Sequence, residues 1–279
     1  MAVQKGGSVS AQWRFIDTGA GTGAWNMAVD EALALEAAEG TAAPTLRVFS
    51  WQPACISLGY HQRVEEIDRE RCAADGVDLV RRPTGGRAIL HEEELTYSVV
   101  IPCSNPLFQQ ETLQTYELLS RALVQGLNNL GVAARFERAP ENASDYRRGE
   151  FSVPCFSTSV RNEVLWQGRK LVGSAQRRYD GSILQHGSIL LGSAHLRLVD
   201  YLACLSEEKR DQYRQYLRLR TAAVDEIAGR HVTFAEMAEA LVQGFAEVFG
   251  IQLVTGELTE REKTRAKELL AKYKDPTRR

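Results

Sequence analysis

The chain has 279 residues, 44% of them hydrophobic and 25% charged, and carries a formal net charge of −2. That length is ample for a real core in one large domain or two small ones. The lack of a basic excess argues against a nucleic-acid partner, and no apolar run approaches the roughly 20 residues that cross a bilayer.

The opening "MAVQKGGSVSAQWRF" has no apolar stretch like that of a signal peptide. A cytoplasmic protein with a frayed first ten residues is expected. "GAGTGAWNMAVDEALALEAAEG" is a glycine-rich turn followed by helix formers. No strand clearly precedes that turn. "TLRVFSWQPACISLG" reads as two short strands broken at Pro53, and "VEEIDRERCAADG" as a helix stopped by Gly76. "VDLVRRP", "RAILH" and "ELTYSVVIP" read as three strands separated by turn residues. A helix is expected from Thr112 to Gly131, then a short strand in "VAARFE". "RAPENASDYRRGEFSVP" is polar and irregular, and is expected to be a loop over the site. Strand-like segments follow, with Asp180-Gly181 where a tight hairpin would want it. Thr233 and Glu236 form a capping-box pattern whose helix ends at Gly250, and Thr259 and Glu262 repeat the pattern. The order predicts an α+β protein: a strand-rich body with a mixed sheet and flanking helices, then an all-helical tail.

The cysteines, Cys55, Cys72, Cys103, Cys155 and Cys204, are odd in number and form no C-x-x-C pair. That argues against a disulfide framework and a structural zinc site. Each is read first as a small reduced apolar residue.

Three stretches are candidates for chemistry. In "RRPTGGRAILH", Arg81 and Arg82 end a strand, and Gly85-Gly86 would let the backbone turn with positive φ and approach a ligand. An ordinary hairpin with two surface arginines fits the pattern as well. The lysine and hydroxyl of a P-loop are absent. "GAGTG" before a helix is read as a turn plus cap, with phosphate binding as the alternative. In "VPCFSTSVRNEVLWQGRKLVGSAQRR", Cys155 follows a proline in a polar stretch and Lys170 leads a strand. Chain reversal between them would bring an ammonium to a thiol and favour the thiolate. From the residues alone, Cys155 is read first as a small apolar filler.

With "RRPTGGRAILH", the stretches "NMAVDEAL", "LRVFSWQPACISLGYHQ" and "GRKLVGSAQRR…GSILQHGSILL" resemble, in order, blocks of the lipoate–protein ligase and octanoyltransferase family. The resemblance spans residues 12–250, with 251–279 as a helical extension. It implies the fold of biotin ligases, an α+β catalytic domain of the class II synthetase type. Within the family, ligases use ATP to make an acyl-adenylate. Octanoyltransferases use no ATP and pass the acyl group through a cysteine thioester. A cysteine at position 155 is similar to the second branch. The resemblance thus implies transfer of octanoyl from acyl carrier protein, through Cys155, to a lysine of a lipoyl carrier such as the glycine cleavage H protein. No cofactor or metal is implied. An ATP-dependent ligase, or an amidotransferase acting between lipoyl domains, is the alternative, and His91 favours the carrier-protein branch over the amidotransferase. Lys170 would lower the Cys155 thiol pKa, orient the acyl carbonyl or take a proton from the incoming amine. Arg81, Gly85, Gly86, His91, Gly173, Ser174 and Ala175 would bind substrate. His186 is read as structural.

Overall fold

The computed structural model describes residues 11–40, 42–138 and 162–278. β1 (Gln12–Gly21) runs directly into helix α1 (Gly23–Ala38), whose cap is the Thr22 side chain accepting from the Trp25 amide. β1 is the strand that the sequence pattern hid, because its alternation is irregular and ends in glycines. β2 (Thr45–Trp51) and β3 (Cys55–Leu58) flank a cis Gln52–Pro53 bond, matching the two strands expected. The expected single helix after them is two pieces: a 3-10 turn at Val64–Glu66, then α2 (Arg69–Ala74) capped by Asp68. β4 (Asp78–Arg81), β5 (Ile89–His91) and β6 (Glu94–Pro102) are the three strands predicted. α3 (Thr112–Asn129) and β7 (Arg135–Glu137) follow as expected. β8 (Glu163–Trp166), β9 (Arg169–Arg178) and β10 (Ser182–Leu190) form a meander. Tyr179 donates its amide to the Ser182 carbonyl across the Asp180-Gly181 turn.

The C-terminal region holds α4 (Glu207–Arg220), α5 (Val224–Ala228), α6 (Phe234–Phe249), β11 (Gln252–Thr255) and α7 (Glu260–Tyr273). Both capping boxes form, and Gly250 ends α6 at φ 62°. The tail is not all helical: β11 pairs in parallel with β1 at the sheet edge.

Among the described residues, the large sheet has the order β11-β1-β2-β6-β10-β9-β8-β7, and a smaller one the order β4-β3-β5. The pairs β1–β11, β1–β2 and β3–β4 are parallel, and the others antiparallel. The expected mixed sheet with flanking helices is therefore found. β6 is buried along its length, and its strand period divides the core. Leu95, Tyr97, Val99 and Ile101 pack with α3 and α6. Val100 packs with α1 and α7, and the face it shares carries Glu94, Thr96 and Ser98. That second, polar face is where the site is built. α7 also closes on α1 by charge: Lys272 Nζ and the Tyr273 hydroxyl both donate to Glu31.

Candidate active site

Two arginines adjacent in sequence point opposite ways, as neighbours along a strand must. Arg81 sends its guanidinium to the carbonyls of Gly59, Tyr60, Gln62 and Pro276, and lies outside the cleft described below. Its position clamps the C-terminal segment to the body. Arg82 turns inward. It donates to the Ser57 carbonyl at 2.9 Å, to Ser57 Oγ at 3.1 Å, and to the carbonyls of Gly85 and Arg87. Arg82 thus folds the 83–87 turn back over the end of β3. The sequence reading missed it as a site residue because nothing local separates it from Arg81.

Of the glycine pair, only Gly86 needs a glycine conformation, at φ 102°. Gly85 has an ordinary φ and open space beside it. Gly86 also sits under Gly59, where an added Cβ would lie 2.0 Å from the Gly86 carbonyl oxygen.

Between this turn, the small sheet and the polar face of the large sheet lies a cleft whose empty space, open solvent included, is about 420 Å³. Met27, Trp51 and Ile89 give it apolar walls. Gly86, His91, Gly173, Ser174 and Ala175, all expected at the site, line it, and so do Ser57, Arg82, His186 and Ser188. Gly85 does not.

The floor is a hydrogen-bond chain. His91 Nδ1 donates to Glu94 Oε1 at 2.7 Å, since a carboxylate can only accept. Its Nε2 then accepts from Ser57 Oγ at 2.7 Å, the same hydroxyl that Arg82 approaches. Glu94 also accepts from Thr96 and Ser188. Trp51 donates its indole N–H to Thr96 Oγ1 at 2.7 Å and stacks on the His91 ring with centroids 4.1 Å apart. His91 is therefore fixed in tautomer and in plane, with every nitrogen used.

A second chain lies deeper. His186 donates from Nδ1 to Asp30 Oδ2 at 2.9 Å, and its Nε2 accepts from Thr84 Oγ1 at 2.7 Å. Asp30 accepts from Arg47 at 2.6 Å and from Ser98 at 2.8 Å. Burial would raise the Asp30 carboxyl, yet Arg47 and the hydrogen bonds of His186 and Ser98 hold it below the usual carboxylate range. Burial lowers His186, keeping it neutral against the pull of Asp30. His186 thus supports the Thr84 end of the turn and also edges the cleft.

The helix start does not hold a free anion site. The Gly23 amide donates to Asp78 Oδ2 at 3.0 Å, so the protein's own carboxylate fills it, as the turn-plus-cap reading has it.

Lys170 is buried on β9 and donates from Nζ to Glu163 Oε1 at 2.5 Å. The β8–β9 register explains where it points. Val172 pairs with Val164 but Lys170 pairs with Leu165, so one extra residue is inserted in β9. Val164 and Leu165 face opposite sides, so Lys170 is turned away from Val172 and onto the face that carries Gly173. Without that bulge Lys170 would enter the apolar layer under α3. Cys155, and residues 139–154 of the loop expected over 138–154, lie outside the described residues. Of the other thiols, burial pushes Cys55 far up and Cys72 up to about 11, so both stay protonated. Cys103 and Cys204 are exposed and do not line the cleft.

Among the described residues no helix is long and apolar enough to cross a membrane.

Known proteins are similar to this chain over most of its length. The lipoyl protein ligase A/B catalytic domain matches residues 22–246. The chain is 43% identical over 262 residues to octanoyltransferase LipM of Kyrpidia tusciae, which covers 94% of this chain and 96% of that protein. It is 42% identical over 266 residues to octanoyltransferase LipM of Moorella thermoacetica, covering 94% and 95%. In structure it is similar to a bipartite lipoate protein ligase of Thermoplasma acidophilum, with a TM-score of 0.75, 26% identity, and coverage of 94% and 93%. It is also similar to lipoate-protein ligase A bound with ATP, with a TM-score of 0.73, 25% identity and 95% of each chain covered. The double-glycine turn, the cleft it roofs and a match over most of the length agree: the chain belongs to the lipoyl protein ligase A/B catalytic-domain family.

Proposed function

We propose that the protein is a cytoplasmic octanoyltransferase that moves an octanoyl group from octanoyl-acyl carrier protein, through a thioester on Cys155, to a lysine of a lipoyl carrier such as the glycine cleavage H protein. The observation that carries this is the match over nearly the whole chain to octanoyltransferases at 42–43% identity. The ligases among the structural relatives are more distant, at 25–26%.

The geometry suits the chemistry. An acyl tail buried against Met27, Trp51 and Ile89 gains up to about 0.8 kcal/mol per methylene. The Gly86 turn and the backbone from Gly173 to Ala175 line the same cleft and would hold the acyl carbonyl. Exchange of one thioester for another is nearly isoenergetic, so the first step needs position more than driving force. In it the Cys155 thiolate attacks the acyl carbonyl, and the carrier thiolate leaves and takes a proton. In the second step the neutral lysine amine attacks, the amide forms, and Cys155 leaves as the thiolate and takes up the proton that the amine nitrogen gives up. Amide formation makes that step downhill.

The test is an intact-mass spectrum after mixing with octanoyl-acyl carrier protein in the absence of ATP. An octanoyl adduct that hydroxylamine removes, and that Cys155→Ala lacks, is expected. Acylation that appears only with ATP and free octanoic acid would overturn the reading in favour of a ligase.

A further inference from the structure

We infer that Glu163 is a positioning residue for Lys170: its buried carboxylate holds the side chain as a fixed ammonium, so Lys170 acts on the acyl group through its charge and not as a proton acceptor. This rests on the proposal that Lys170 serves acyl transfer.

A lysine is a point charge on a flexible stem with many rotamers. Here that freedom is removed. Nζ is 2.5 Å from Glu163 Oε1, and both side chains are buried. The two residues sit on adjacent strands, joined by a tight turn in which Gln167 and Gly168 have positive φ. The bulge that re-aims Lys170 thus also delivers it to Glu163. A carboxylate at this distance favours the charged form of an amine. An ammonium has three donors and no acceptor. It can stabilise a thiolate or an acyl oxygen that gains negative charge, but it cannot take a proton from the attacking amine.

Among the described residues, the other charged or titratable groups packed around Lys170 have partners of their own. Arg169, next in the chain, is held by Glu226 on α5 and donates to the Thr221 carbonyl. Thr221, at the end of α4, bridges to Lys170 through the backbone, and His195 behind it is hydrogen-bonded to Thr221 Oγ1 at 2.8 Å. Burial keeps His195 neutral, its value pushed down to about 4. Of the three roles the sequence left open for Lys170, the ion pair supports the two that need a cation and disfavours the third.

The test uses the full-length protein and two readouts across pH. One is the rate of octanoyl-adduct formation from octanoyl-acyl carrier protein. The other is the acetylation of Lys170 itself in a short acetic anhydride pulse, read by peptide mass spectrometry. In Glu163→Gln, the alkaline limb of the adduct rate and the onset of Lys170 acetylation should move together to lower pH, by about one unit or more. Glu163→Asp should fall between this variant and the wild type, and it stands in for the glutamine variant if that fails to fold. Profiles that stay at their wild-type position, or that move one without the other, overturn the inference. If the wild-type protein forms no adduct, the acyl-transfer reading fails, and the acetylation profile alone decides whether Glu163 holds Lys170 charged.

Discussion

Replacing Gly59 by alanine separates catalysis from stability at one atom. The new Cβ would lie 2.0 Å from the Gly86 carbonyl oxygen, 2.7 Å from its carbonyl carbon and 3.2 Å from its nitrogen. All three are backbone atoms, so no side chain can swing aside. Ordinary contact begins near 3.4 Å, so the turn must retreat by more than 1 Å. Gly86 lines the cleft, so a shift of the turn changes the cleft's wall. Overpacking of this kind costs about 1–3 kcal/mol. Because the clashing atoms are backbone, the cost lies toward the upper end, about 3 kcal/mol, a fall in Tm of roughly 10 °C for a chain this size. A displacement of about 1 Å in a substrate-positioning segment costs on the order of a hundredfold in rate. Gly59→Ala should therefore keep its fold and lose its rate. The assay pairs urea unfolding with the rate of octanoyl-adduct formation below saturation. Gly85→Ala is the control, since nothing lies within 4 Å of its added Cβ and its φ is ordinary; its stability should stay within about 0.5 kcal/mol of wild type. A Gly59→Ala protein with a normal rate, or one whose rate falls only as far as its folded fraction, would show that the turn does not set the acyl group's position.

Asp30→Asn should cost about 3–5 kcal/mol in urea unfolding, because it leaves the fully buried Arg47 guanidinium without its carboxylate. A loss under about 1 kcal/mol would mean that the hydrogen bonds of Arg47 to Asn26 and Thr18 suffice without the charge. Stability should also fall as pH drops below about 6.5. His195 is pushed down to about 4 by burial and His186 is lowered too, so the unfolded chain binds more protons than the folded one in that window. The full contribution of His195, roughly 3 kcal/mol, is present above its unfolded value and is lost progressively toward pH 4. Urea midpoints of wild type and His195→Gln between these limits check it: the variant should show a shallower slope, and equal slopes would refute the assignment.

The elements were legible in the sequence where a local signal exists. The capping boxes at Thr233 and Thr259 and the Asp180-Gly181 turn are encoded within four residues of chain, because cap and turn energies depend on nearest neighbours. The same holds for the RRPTGGR stretch as a whole, which carried the family resemblance. Short edge elements were not legible. β11 is four largely exposed residues whose partner lies at the other end of the chain, and no local pattern marks such a pairing.

What the chain by itself determined is the order of the motif blocks along β4, β5 and β9, and the family resemblance of those blocks implied that His91, Gly86 and the Gly173–Ala175 backbone bind substrate; the fold brings them to one cleft. What tertiary structure alone decided is the direction of each side chain. Arg81 and Arg82 are equal in composition and neighbourhood, yet one holds Pro276 and the other holds Ser57. Glu94 is one of three consecutive glutamates, and only packing brings it under His91. Lys170 faces Glu163 because a single inserted residue reverses the strand's parity. The physical reason is common to all three: along a strand, successive side chains alternate faces, so a one-residue change of register exchanges core for site, and register is set by partners distant in sequence.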